Sequence, residues 1–195
     1  MASDPARKPA TFEDLRDLDR ERAVEVMGGE LVEKAAPTGE HGDAQAGITA
    51  SLRGPFHRQS GEDPPGGWWI ATEVLIELET HEIVRPDIVG WRRVRVPERP
   101  TGWPVRERPD WVCEVLSSST AGRDLGPKMR LLHRHGVAHY WVADPVGRFL
   151  AVYRRAEEGY LLVLTAGPGE KVRAEPFGAV ELDVGTFFGD DPLEG

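Results

Sequence analysis

A carboxylate in the middle of an apolar strand is the most informative residue in this sequence. Glu114 lies within Trp111-Val112-Cys113-Glu114-Val115-Leu116, the kind of nearly continuous apolar run that fills the centre of a covered sheet. Burying an unpaired charge is costly, so Glu114 needs a partner, a proton or a metal ion. A structural salt bridge is the plain alternative. Asp87 has a comparable setting, in Val84-Arg85-Pro86-Asp87-Ile88-Val89, after a proline that bends a strand and before apolar residues. Two carboxylates from neighbouring strands can clamp a hard divalent cation through oxygen. Mg²⁺ is the usual choice, with water and a substrate phosphate completing its shell. Lys128 is the third candidate, four residues after Asp124 and at the start of the helix that follows the Glu114 strand. That spacing fits a simple i,i+4 ion pair. It also fits an amine directed back over the sheet end, where it orients an attacking water and offsets charge on a phosphoryl transition state.

The surrounding elements must position these residues. Thr11 to Asp14 reads as a capping box opening a short helix. Ala23 to Met27 and Glu30 to Glu33, joined by Gly28-Gly29, read as a hairpin. Ala44, Ile48, Leu52 and Phe56 recur every four residues and predict a helix from His41 to about His57, with Pro55 distorting or ending it. Trp68 to Leu78 reads as one long strand, and Val84 to Val89 as the next, with Pro86 marking an edge or bulge. Residues 92–108 form an Arg- and Pro-rich excursion. After the Trp111–Leu116 strand, a helix is expected from about Asp124 to His135, capped by Asp124, with Pro127 in its first turn and Gly136 closing it. His139 to Ala143 is a strand, Phe149 to Arg154 and Tyr160 to Thr165 form a second hairpin, and Val180 to Val184 adds a last strand. The order gives an α/β or α+β architecture around a mixed sheet flanked by helices.

The chain has 195 residues and a net charge of −9, with 16 Pro and 22 Gly. The length suits a single domain, expected over residues 11–188 between tails at 1–10 and 189–195. The charge is uneven. From Arg85 to Arg155 there are 14 Lys and Arg against seven Asp and Glu; the remainder has 10 against 26. A basic middle in an acidic protein fits a groove for a polyanion, although scattered charges on a solvated surface give the same count. No run approaches the length of a membrane span, and residues 1–10 lack the apolar core of a secretory signal. With Cys113 alone there is no internal disulfide, and a reducing cytoplasm is the expected location. There is no P-loop and no dinucleotide fingerprint. Ser117 to Ser119 lack a nucleophile elbow. His133, His135 and His139 do not have the spacing of a tetrahedral zinc site. Trp69, Trp111 and Trp141 fall in strands and belong to the core, whereas Trp91 and Trp103 are candidates for stacking on bases.

Five short motifs in order resemble the Uma2 family, also called DUF820. They are Glu25-Val26-Met27-Gly28-Gly29-Glu30 with Pro37 to His41, then Arg85-Pro86-Asp87, Pro109 to Ser117, Asp124 to Lys128, and Gly136 to Pro145. The resemblance implies a restriction-endonuclease-like fold of the PD-(D/E)XK type and Mg²⁺-dependent endonuclease chemistry, with Mn²⁺ able to substitute. It makes Asp87 the Asp of the PD motif and Glu114 the following acid, with the Val115 carbonyl as a further ligand. Leu116 stands where the parent pattern has Lys, and Lys128 matches the relocated basic group. Ser118 and Leu132 depart from frequent family residues without removing a ligand. Glu25, Glu30, His41 and Asp124 match supporting positions, and Arg85, Arg92, Arg93 and Arg123 are candidates for the nucleic-acid backbone, DNA first. A homodimer fits the pattern. The alternative is an inactive nucleic-acid- or protein-binding module that keeps the fold.

Overall fold

The computed structural model describes residues 8–18, 22–60, 65–117 and 121–193. A short helix α1 (Phe12–Arg16) opens the fold, and the Thr11 N–H donates to the Asp14 carboxylate at 2.8 Å. β1 (Val24–Met27) and β2 (Glu30–Glu33) form the expected hairpin. Helix α2 (Gly39–Phe56) follows, its first turn capped by the Thr38 hydroxyl. Ala44, Ile48, Leu52 and Phe56 are all buried on one face, as their spacing predicts. Burial of each of the three larger ones contributes on the order of 1.5–3 kcal/mol.

The expected long strands are each two strands. The first divides into β3 (Trp68–Thr72) and β4 (Ile76–Glu79), the second into β5 (Glu82–Val84) and β6 (Ile88–Arg92). The halves belong to different sheets. β4 and β5 join the hairpin in a four-stranded sheet ordered β2-β1-β5-β4, while β3 and β6 belong to a six-stranded sheet. The first break falls at Glu73, whose φ of 55° is left-handed and ends an extended ladder. The second falls at Arg85-Pro86-Asp87, where proline has no N–H to give a ladder. So Pro86 marks a passage between sheets rather than an edge or bulge.

β7 (Trp111–Val115) is central, as expected from its apolar run. After it come α3 (Ala121–Asp124), α4 (Pro127–Arg134), β8 (His139–Asp144), β9 (Phe149–Arg155) and β10 (Tyr160–Ala166). The six-stranded sheet has the order β10-β9-β8-β7-β6-β3, and β7 pairs with β8 in parallel. The helix expected from Asp124 is interrupted. Asp124 ends α3 instead of capping α4, and Pro127 takes the first position of α4. Gly136 has φ 73° and terminates α4 as predicted. β11 (Lys171–Val172) pairs with β12 (Leu182–Asp183), a shorter last strand than expected, before a 3₁₀ turn over Val184–Phe188.

One face of the large sheet packs on α2 and the C-terminal segment around Trp111, Trp141 and Phe177. The other packs on α4 and the small sheet through Val112, Leu131, Leu132 and Tyr140. Gly47 lets α2 approach the 3₁₀ turn: a Cβ there would lie 2.6 Å from the Thr186 carbonyl. Residues 1–7 of the expected N-terminal tail lie outside the described residues. Ala10 is tied down, its N–H donating to Gly29 O at 2.8 Å. At the other end the Leu193 N–H donates to Asp183 at 2.7 Å, and residues 194–195 lie outside the description. Among the described residues no helix is long and apolar enough to cross a membrane.

Candidate metal centre

The passage between the two sheets positions the acids. Ile88 pairs with Cys113 across β6 and β7, so Asp87 and Glu114 are the next residues on either side beyond the last pair of that ladder. Opposed residues of antiparallel strands share a sheet face. Asp87 is held on both oxygens. The Val115 N–H donates to Oδ2 at 2.7 Å, and Lys34 Nζ donates to Oδ1 at 2.7 Å. His41 Nε2 stands 3.5 Å from the same Oδ1. Gln45 Nε2 donates to the Asp87 carbonyl at 2.8 Å and to Glu73 Oε1 at 3.3 Å, which pins the first strand break to the second.

Lys128 is fully buried, and its ammonium lies 2.7 Å from Glu114 Oε1 and 2.7 Å from Glu25 Oε1. The expected i,i+4 pair with Asp124 is therefore replaced by a bridge between β1 and β7. Glu25 Oε1 also accepts the Arg85 N–H at 2.7 Å, so β1 is tied to the second strand break. Arg123 approaches Glu25 Oε2 and Asp124 Oδ1 at 3.9 and 3.8 Å, and the Tyr140 hydroxyl donates to the Asp124 carbonyl at 3.0 Å.

The electrostatics follow from this crowding. Burial pushes the Glu114 carboxyl well above its usual range; Lys128 opposes the shift, while Asp87 and Asp124 add to it. Burial would raise Asp87 as well, but the His41 and Lys34 contacts outweigh it and hold Asp87 far below the ordinary range. Glu25 is likewise lowered: burial opposes this, and Lys128 and Lys34 prevail. The Lys128 amine is raised despite its burial because Glu114, Glu25 and Asp124 surround it.

Asp87, Glu114, Val115, His41, Asp124 and Arg123 line one cavity of about 200 Å³. Glu25 and Lys128 lie behind its wall. Glu30 is exposed on the hairpin, away from this cavity. Arg85 contributes backbone to the site, but its side chain lines a separate small pocket with Leu15 and Trp103. Arg92 and Arg93 lie at the far end of β6, over the Trp68 and Trp69 rings. Of the two tryptophans expected to meet bases, Trp91 is buried and donates to the Glu107 carbonyl at 2.8 Å, because it belongs to β6 and not to the excursion. Trp103 is partly exposed and packs edge-on against Phe12. Ser118 and Ser119 lie outside the described residues.

Sequence reasoning missed Lys34 and Glu73. Lys34 continues the alternation that makes Val32 the more buried residue of β2, a signal present but faint. Glu73 looked like an outward residue of one long strand, and only the break at its own position turns it toward Asp87.

A hard divalent ion suits this donor set. Among the described residues, the carboxylates of Glu25, Glu73, Asp87, Glu114 and Asp124 share three cations at ion-pair distance, Lys34, Lys128 and Arg123. Glu25 Oε2 is buried with no hydrogen bond, and Glu114 Oε1 has only its Lys128 contact. No group of three His, Cys, Asp or Glu side chains among the described residues is poised to hold an ion. An ion here would thus take two carboxylates and complete its shell from water, carbonyl and phosphate, as Mg²⁺ does.

A two-sheet α+β protein with opposed acids at the sheet crossing is the class that this geometry defines. Residues 9–185 match the model of the Uma2 family, described as "putative restriction endonuclease", and the chain belongs to that family. The fold is also that of an Anabaena variabilis ATCC 29413 protein titled as a "putative nuclease belonging to DUF820". The two align with a TM-score of 0.74 at 20% identity, over 92% of this chain and 98% of that one. No curated protein matches significantly.

Proposed function

We propose that this chain is a Mg²⁺-dependent endonuclease that hydrolyses phosphodiester bonds of nucleic acid, DNA first, with Mn²⁺ able to substitute. The observation that carries this reading is the meeting of Asp87, immediately before β6, and Glu114, on the adjoining β7, at one cavity, with a lysine from the following helix 2.7 Å from Glu114. In PD-(D/E)XK terms, Pro86-Asp87 supplies the first acid and Glu114 the second.

A divalent ion held there would polarise the scissile phosphate and lower the pKa of a bound water. The chain's own residues prepare the place. The Val115 amide fixes Asp87 through Oδ2, and Lys34 balances the charge at Oδ1. Lys128 orients Glu114 and offsets its buried charge, acting through that acid from behind the cavity wall. Arg123, at the cavity, is the arginine best placed to meet a backbone phosphate. A second copy fits best along β10, the edge of the large sheet, which exposes Leu161 and Leu162.

The test is nicking of supercoiled plasmid with Mg²⁺, Mn²⁺ or chelator, by the wild type and by Asp87→Ala. Metal-dependent nicking by the wild type alone is expected. Intact plasmid, linear and single-stranded DNA under every metal would defeat the reading. The binding-module alternative predicts no metal uptake and a partner affinity indifferent to Asp87→Ala, so calorimetry with metal separates the two.

A further inference from the structure

Lys34 Nζ rests in a cradle of oxygens. It donates to Asp87 Oδ1 at 2.7 Å and to the Arg85 carbonyl at 2.9 Å, and Glu73 Oε2 lies 3.6 Å away. Two carboxylates and a backbone carbonyl form the donor set that a hard divalent ion takes. An ammonium has three donors and no acceptor, so these oxygens meet its requirement. The Lys34 side chain is about 10% exposed and lines the same cavity as Asp87 and Glu114, unlike Lys128 behind the wall. The cradle is built, not incidental. Its members come from the end of β2 and from both strand breaks, and Gln45 ties the breaks together.

We propose that Lys34 competes with a divalent ion for Asp87, so that the ion loads by displacing the Lys34 ammonium. This rests on the nuclease reading and adds to it a determinant of the metal concentration at which the site fills. Asp87 Oδ1 cannot serve both cations at close range, because like charges in a partly buried site repel strongly. The occupied state therefore reduces the apparent metal affinity by the fraction of molecules in which Lys34 holds Asp87.

Two measurements on the full chain without DNA test this. Calorimetric titration of Mn²⁺ compares the wild type with Lys34→Met and Lys34→Arg. Lys34→Met should bind about tenfold more tightly, and Lys34→Arg, which keeps the charge, no more tightly than the wild type. Unchanged or weaker binding by a folded Lys34→Met overturns the proposal. The second measurement needs no variant. Amine acetylation of the wild type, mapped by peptide mass, should label Lys34 several-fold faster once Mn²⁺ is added, with Lys8 and Lys171 as unaffected references. Labelling of Lys34 that ignores bound metal overturns the proposal and leaves the nuclease reading intact. A wild type that takes up no metal defeats both.

Discussion

The Val115 amide donates to Asp87 Oδ2 across 2.7 Å, so the strand that carries Glu114 also aims the opposite acid. Asp87 thus has a fixed orientation before any ligand arrives, which is what a preorganised site requires.

Asp87→Asn keeps an oxygen for the Val115 amide and removes the charge. Nicking should fall by roughly 100-fold or more, since even outer-shell partners of metal ligands are worth about 10–100-fold. Circular dichroism should show the fold unchanged. Retained metal-dependent nicking would remove Asp87 from the ligand set.

Lys128→Met strands two acids in the interior. Breaking a buried pair by removing one partner costs about 3–5 kcal/mol, and urea unfolding should show a loss of that order. Adding Glu25→Gln should recover part of it, with a coupling energy of about 0.5–3 kcal/mol, because both residues share one contact at 2.7 Å. Simple additivity would mean that the bridge is not an energetic unit.

His139 gives a pH signature outside the centre. Burial lowers its pKa below the usual 6.5, Arg92 and Arg154 push the same way, and Glu175 and Asp110 partly offset them. The folded ring stays neutral while the unfolded chain binds a proton below about 6.5, so its contribution is complete above that pH and declines as pH falls through it. Denaturation midpoints at pH 7.5 and 5.5 should differ less in His139→Gln than in the wild type.

Two glycines of α2 should respond with opposite signs. At Gly42 an added Cβ meets nothing within 4 Å, so Gly42→Ala should stabilise by about 0.5–1 kcal/mol through helix propensity. At Gly47 the same methyl would meet the Thr186 carbonyl at 2.6 Å, which is backbone and does not yield. Gly47→Ala should destabilise by about 1–3 kcal/mol. Thermal melts of the two variants check both signs.

Asp87 and Glu114 were legible in the sequence because each is an acid amid apolar neighbours, a pattern that burial cost makes conspicuous, whereas Lys128 stood out only by its place at the start of the helix after the Glu114 strand and by the family resemblance. The helix carrying Ile48 and Leu52 and the central strand around Trp111 were legible from periodicity alone. The divided strands were not. Val74, Ile76 and Leu78 alternate with glutamates as a single strand would, and nothing in that pattern announces the left-handed turn at Glu73. Trp91 was misplaced because the predicted strand stopped at Val89, whereas β6 runs through Arg92. Glu25 and Glu30 looked alike in a short hairpin; only the small sheet's contact with α4 buries one and leaves the other in water.

The two strand breaks have a mechanical consequence. Glu25 and Lys34 travel with the small sheet, Asp87 and Glu114 with the large one, and the joints lie at Glu73 and Pro86. A slight change in the angle between the sheets would draw Lys34 from Asp87 while every ladder of backbone hydrogen bonds stayed whole.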